Sequence, residues 1–190
     1  MDSDLIGLAR TAAAERLAEL PRRWAHVQGV AAVASGIAPR IAPADAEAIV
    51  AAAWLHDVGY SSSIVSTGFH PVDGASFARS LGMPDLVVSL IAHHTGAEAE
   101  AVERGLGAAL ATYGSPPSDI LDVVTFADLT TSPEGNPISA EDRVAEILAR
   151  YEKEDPVHAA VLRSAPELLA SVSRVYKRLE MAPAVSAQPR

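Results

Sequence analysis

The stretch "AAAWLHDVGY", residues 51–60, decides how the chain is read. Ala51 to Leu55 are all apolar, and His56 and Asp57 follow side by side. Two ionisable residues at the end of a buried helix have two explanations. They form a solvated helix C-terminus, or they are ligands delivered into the interior. The helix that carries them begins near Asp45 and Glu47, whose charges suit the positive end of a helix dipole, and is expected to run to about His56.

Outward from this helix the pattern is helical almost throughout. Residues 3–19 place Leu5, Leu8, Ala12 and Leu17 near helical spacing, and Pro21 suits the first turn of a second helix carrying Trp24, Val27, Val30, Ala31 and Ala34. "GIAPRIAP", 36–43, is expected to break that helix with Gly and two prolines. "GYSSSIVSTGF", 59–69, reads as a loop. "HPVDGASFARSLG" reads as a short helix closed by Gly82, and "MPDLVVSLIAHHTG" as another, between Pro84 and Gly96. A polar helix is expected at about 98–105, and one over "SDILDVVTFADLTT" with Ser118 as N-cap. "SPEGNP" is a loop, two or three amphipathic helices fill about 140–180, and 183–190 reads as a disordered tail. Strand-like alternation is missing, so the expected fold is all-α. The domain reading is one unit over 1–182, with its core at about 20–131 and scaffold helices after 140.

Composition narrows the function. The chain has 190 residues, 49% hydrophobic and 21% charged, enough for one domain with a real core. Its formal charge of -9 disfavours nucleic acid as a partner, because most of its surface repels phosphates. It has no Cys, which excludes thiolate metal sites and thiol nucleophiles. The opening "MDSDLIGLAR" lacks the basic start and apolar run of a signal peptide, and no stretch approaches the roughly 18 apolar residues of a membrane span. A cytoplasmic protein without a membrane partner is expected.

Five of the six histidines fall between 26 and 94, close to helix ends or on apolar helices: His26, His56, His70, His93 and His94. Asp128 lies among Val123, Val124, Phe126 and Leu129. A carboxylate in such surroundings is costly unless something positive meets it. A metal ion meets several such residues at once, and imidazole with carboxylate suits iron, manganese, cobalt, nickel or zinc. Taken singly, each residue also fits a core histidine or a helix cap.

His26, then His56-Asp57, then Asp128 resembles the H…HD…D signature of the HD-domain superfamily of metal-dependent phosphohydrolases. "LHDVGY" is similar to that family's HD-x-G stretch, "FHPVDGASFARSLG" to its H-P-x-x-G-A helix, and "IAHHTG" to its I-x-x-H-H or I-x-x-H-T-x-G segment. The resemblance covers about 20–131 and points to the two-metal branch. It implies a helical bundle with a metal site in a central cleft. His26, His56, Asp57 and Asp128 would hold one divalent ion. Asp57 would bridge to a second, held by His70 and by His94, His93 or both, with His94 favoured. The implied reaction is hydrolysis of a small phosphorylated compound such as a nucleotide, by a metal-activated hydroxide, with Asp57 central to catalysis.

Arg22 and Arg23 precede His26 by one turn, and one of them could hold phosphate. Tyr60 stands where many hydrolytic members carry Lys, so it either closes over substrate or packs. That departure keeps two alternatives in view: a mixed-valent di-iron oxygenase with the same ligands, and a nucleotide-sensing module without turnover. His158 reads as a surface or packing residue, and Arg143, Arg150, Glu146 and Glu152 as a solvated face. The helices after 140 read as scaffold or as a homo-oligomer contact.

Overall fold

A computed structural model describes residues 4–182, so the tail expected at 183–190 lies outside the described residues. Among the described residues there are ten α-helices and no strand, as the periodicity predicts. The central one is α3, Ala46–Leu55, which buries Ile49 to Ala53 and Leu55 and packs against α1 (Leu5–Leu17), α2 (Pro21–Ile41), α5 (Asp85–His93) and α8 (Ser118–Leu129). Alanine makes this crowding possible. Ala51, Ala52 and Ala53 present only a methyl each, so four neighbours approach one short helix closely.

Three expectations are corrected. α2 does not break at Gly36; it runs through Pro39 to Ile41. Pro39 sits in the last turn, where its missing N–H forfeits one helical bond, and Gly36 has open space beside it. Ser118 does not cap α8: it is the first helical residue, preceded by Pro117, and makes no capping bond. The polar helix, α6, starts a residue early and spans Ala97–Glu103, followed by a single turn, α7, Gly107–Leu110. Gly82 does close α4 (His70–Ser80): it has φ +73°, and the Met83 N–H reaches back to the Ala78 carbonyl at 3.1 Å.

The C-terminal region is two helices, α9 (Ala140–Arg150) and α10 (Pro156–Met181). Ser139 caps α9 and Asp155 caps α10, each accepting a backbone N–H of the first turn. α10 packs on α6, α8, α9 and α2. α8 joins two apolar clusters. Ile120, Val123, Val124 and Ala127 face the main core, while Phe126 and Leu129 pack with Val144, Leu168, Val172 and Val175. No helix among the described residues is long and apolar enough to cross a membrane.

The segment after Asp57 is fixed by backbone. A 3-10 turn, Val58–Tyr60, lies directly on the start of α4, and a Cβ on Gly59 would come within 2.1 Å of the His70 carbonyl oxygen. Only glycine allows that approach. The Ser-rich loop beyond it is fastened by buried Asp73, which accepts the backbone N–H groups of Ser66, Thr67 and Gly68. Gly59→Ala is therefore expected to cost about 1–3 kcal/mol, measured as a lower midpoint in urea. An unchanged midpoint would show that the turn shifts freely against α4.

Candidate metal centre

Each half of the bundle contributes side chains to one cleft. His26 comes from the second turn of α2, and His56 and Asp57 from the end of α3. His70 opens α4, His94 follows α5, and Asp128 comes from the last turn of α8. These six form two groups, within each of which one ligand atom per residue lies within 4.8 Å of the others. The first is His26, His56 and Asp128; the second is Asp57, His70 and His94. Asp57 lies between them, with Oδ1 at 3.6 Å from His70 Nε2 and 3.8 Å from His56 Nε2.

Backbone carbonyls orient the imidazoles. His56 Nδ1 donates to the Ala53 carbonyl at 2.8 Å, and His94 Nδ1 to that of Ile91 at 2.6 Å. His26 Nδ1 donates to Ser132 at 3.0 Å, a residue brought over by the loop after α8. With Nδ1 used as a donor, each Nε2 is turned inward. At His56 and His94 its lone pair is free, the arrangement in which histidine ligates metals, whereas at His26 both nitrogens face acceptors and, against burial, the Asp128 carboxylate raises the pKa. His26 Nε2 meets Asp128 Oδ1 at 3.0 Å, and His94 Nε2 meets His70 Nε2 at 3.2 Å. His56 Nε2 is buried with no hydrogen-bond partner. A fully buried, unpaired nitrogen between two carboxylates is what a cation would satisfy, so these residues fit divalent ions.

The electrostatics agree. Burial would raise the Asp57 pKa, but Arg23 and the surrounding histidines hold it well below the usual carboxylate range. Burial likewise opposes ionisation of Asp128, and its bond to His26 outweighs it and keeps the carboxyl ionised. Burial lowers the pKa of His56 and of His70, with the His94 ring adding to the effect at His70, so both favour the neutral form that binds metal.

His93 is not brought to this cleft. It is the last helical residue of α5, whereas His94 is already extended (φ -60°, ψ 149°), so the two rings leave in different directions. His93 Nε2 donates to the Tyr113 carbonyl at 3.2 Å, and Nδ1 lies 3.4 Å from Glu98. The arginines also part. Arg22 is exposed and pairs with Glu134 at 2.9 Å. Arg23 turns inward: Nη1 donates to Asp57 Oδ2 at 2.8 Å, and its guanidinium lies 3.5 Å from the Tyr60 ring centroid. Tyr60 stacks in turn on His70, with centroids 4.1 Å apart. Tyr60 thus packs between Arg23 and His70 and also lines the cleft, and Arg23 supplies a positive charge beside it.

The solvated face expected on α9 is a correction. Arg150 and Glu152 are exposed as expected and Glu146 is half-buried, but Arg143 is only 5% exposed and reaches to 3.9 Å from Asp128. Arg143, Arg150 and Tyr151 line the cleft with Arg23. Their spacing was readable as one helical face; what it faced was not. Thr95 was also missed. It has φ +37°, unusual for a β-branched residue, and its buried hydroxyl lines the cleft without a partner. His158 is half-buried and bonds the Tyr151 carbonyl, a packing role.

A family model, the HD domain, matches residues 23–147, and the chain belongs to the HD domain family. No curated protein and no solved structure matches the chain significantly. HD domains bind divalent metals and are usually metal-dependent hydrolases. The match reaches into α9, so it takes in Arg143 and Glu146 as well as the histidines.

Replacing His94 by Ala is expected to weaken metal binding at least about tenfold, as measured by equilibrium dialysis, while His93→Ala leaves it unchanged. The reverse result would show that His93 is the ligand.

Proposed function

We propose that this chain hydrolyses phosphate esters of small molecules, nucleotides among them, using two divalent ions. His26, His56 and Asp128 would hold one, His70 and His94 the other, and Asp57 would serve both. The observation that carries this reading is the pairing of two ligand groups with inward-facing guanidiniums in a single cleft. Bound ions would supply a water activated near neutral pH and positive charge for the phosphate oxygens. Iron, manganese, cobalt, nickel and zinc all suit this donor set.

The residues do the rest. Asp57 turns one oxygen toward the ligand groups and the other to Arg23, which fixes both. Arg23 is charged at any working pH. Burial disfavours its charge, but Asp57 more than compensates. Its remaining N–H groups can hold phosphate oxygens as charge builds on them during cleavage of the P–O bond by water. Arg143, fixed beside Asp128, offers a second guanidinium. Tyr60 keeps its hydroxyl protonated, because burial raises its pKa, and serves as the platform for Arg23 and His70. The acidic net charge, -9, favours a small compound over long nucleic acid as partner.

Phosphate release from a panel of monoesters and diesters should proceed equally with and without oxygen. Arg23→Gln should lower kcat/KM by roughly 10²-fold, and Asp57→Ala should abolish turnover together with metal binding. Turnover that stops under anaerobic conditions would sink the hydrolytic reading in favour of a di-iron oxygenase. Metal-replete protein inert on every ester and phosphonate would favour a sensing module.

A further inference from the structure

A second cavity opens beside the cleft, with a volume of about 140 Å³, far more than one water needs. Its lining is Arg22, Arg23, His26, Pro133, Arg143 and Arg150. It contains four guanidiniums and no acidic side chain. Arg23, His26, Arg143 and Arg150 also line the metal cleft, so the two spaces share a wall.

The carboxylates behind this wall do not use up its donors. Glu146 bonds Arg143 at 2.5 Å and Arg150 through both Nε, at 3.0 Å, and Nη2, and lies 3.9 Å from Arg22. Each guanidinium has five N–H donors, and one carboxylate accepts only about four bonds. Glu134 pairs with Arg22 where both side chains are more than half exposed, a setting in which ion pairs contribute little. Arg143 is nine-tenths buried, and its Nε has no partner. Glu146 therefore holds Arg143 and Arg150 together with Arg22 close by, and each of the three lines the cavity and keeps N–H groups that no hydrogen bond among the described residues uses. A doubly charged tetrahedral oxyanion is the ligand this lining fits, since planar guanidiniums bind phosphate through paired N–H groups.

Resting on the phosphohydrolase reading of the adjoining cleft, we propose that this arginine cavity holds a second phosphate of the substrate. The substrate class is then a small molecule carrying two phosphate groups. One lies at the metal ligands and undergoes hydrolysis; the other is held, unreacted, by Arg22, Arg143 and Arg150.

Two measurements on the full chain test this. Inorganic phosphate titrated into metal-free protein should bind at one site. Arg22→Gln and Arg150→Gln should each weaken that site roughly tenfold or more, while Arg163→Gln, which removes the same charge elsewhere, should not. With metal restored, a sugar bisphosphate should show a kcat/KM at least about tenfold above that of the matching monophosphate. In Arg150→Gln this ratio should fall toward one. A loss of folded protein lowers both rates and leaves the ratio alone. Equal rates on both compounds, or phosphate binding indifferent to Arg22 and Arg150, overturn the second-phosphate site and leave the hydrolase reading standing. Phosphate bound at the arginines with no turnover of either compound overturns the hydrolase reading, and with it the substrate assignment.

Discussion

Two carboxylates, Asp57 and Asp128, are taken out of water in this bundle, and most of its architecture answers their charge. A buried carboxylate costs several kcal/mol unless positive groups and donors meet it. Here His26, His56, His70 and His94 crowd around the pair, with Arg23 bonded to Asp57 and Arg143 beside Asp128. These groups come from α2, α3, α4, α5, α8 and α9 or their ends. None of these helices can move far without exposing or orphaning a charge.

That constraint explains features which otherwise look incidental. α3 is alanine-rich because it must fit among four neighbours and still present His56 and Asp57 at its end. Gly59 is bare because the turn after Asp57 lies on the carbonyl of His70. The loop after α8 folds back so that Ser132 can accept the His26 Nδ1 proton. In three of the four histidines a backbone carbonyl takes the outward nitrogen and directs the other inward, so the local backbone determines the ligand face.

Much of this was legible in the sequence. Helical spacing revealed nearly every element, and the H…HD…D order with the H-P-x-x-G-A and I-x-x-H-H segments pointed to the six residues that converge in the two candidate groups. What could not be read was direction. His93 and His94 are neighbours, and only the extended backbone at His94 separates a residue of the candidate metal group from one bonded to Tyr113. Arg22 and Arg23 are neighbours too, and one meets Glu134 while the other meets Asp57. Pro39 misled because helix breakers are judged locally, and near a helix end the local penalty is one bond. Arg143 misled for the opposite reason. Its Glu-Arg pattern is that of a solvated face, but the face is turned toward Asp128.

The sequence by itself determined the helical class, the family and the histidines and aspartates that gather at the cleft, because periodicity and residue chemistry are properties of short stretches. Tertiary structure alone decided which nitrogen faces inward, that His94 and not His93 joins the candidate metal groups, and that α9 lends arginines to the cleft. Those outcomes depend on contacts between residues as far apart as Arg23 and Asp57, or His26 and Asp128. No local preference encodes such pairings. They form only when helices pack, and the burial of charge leaves few packings that satisfy them all.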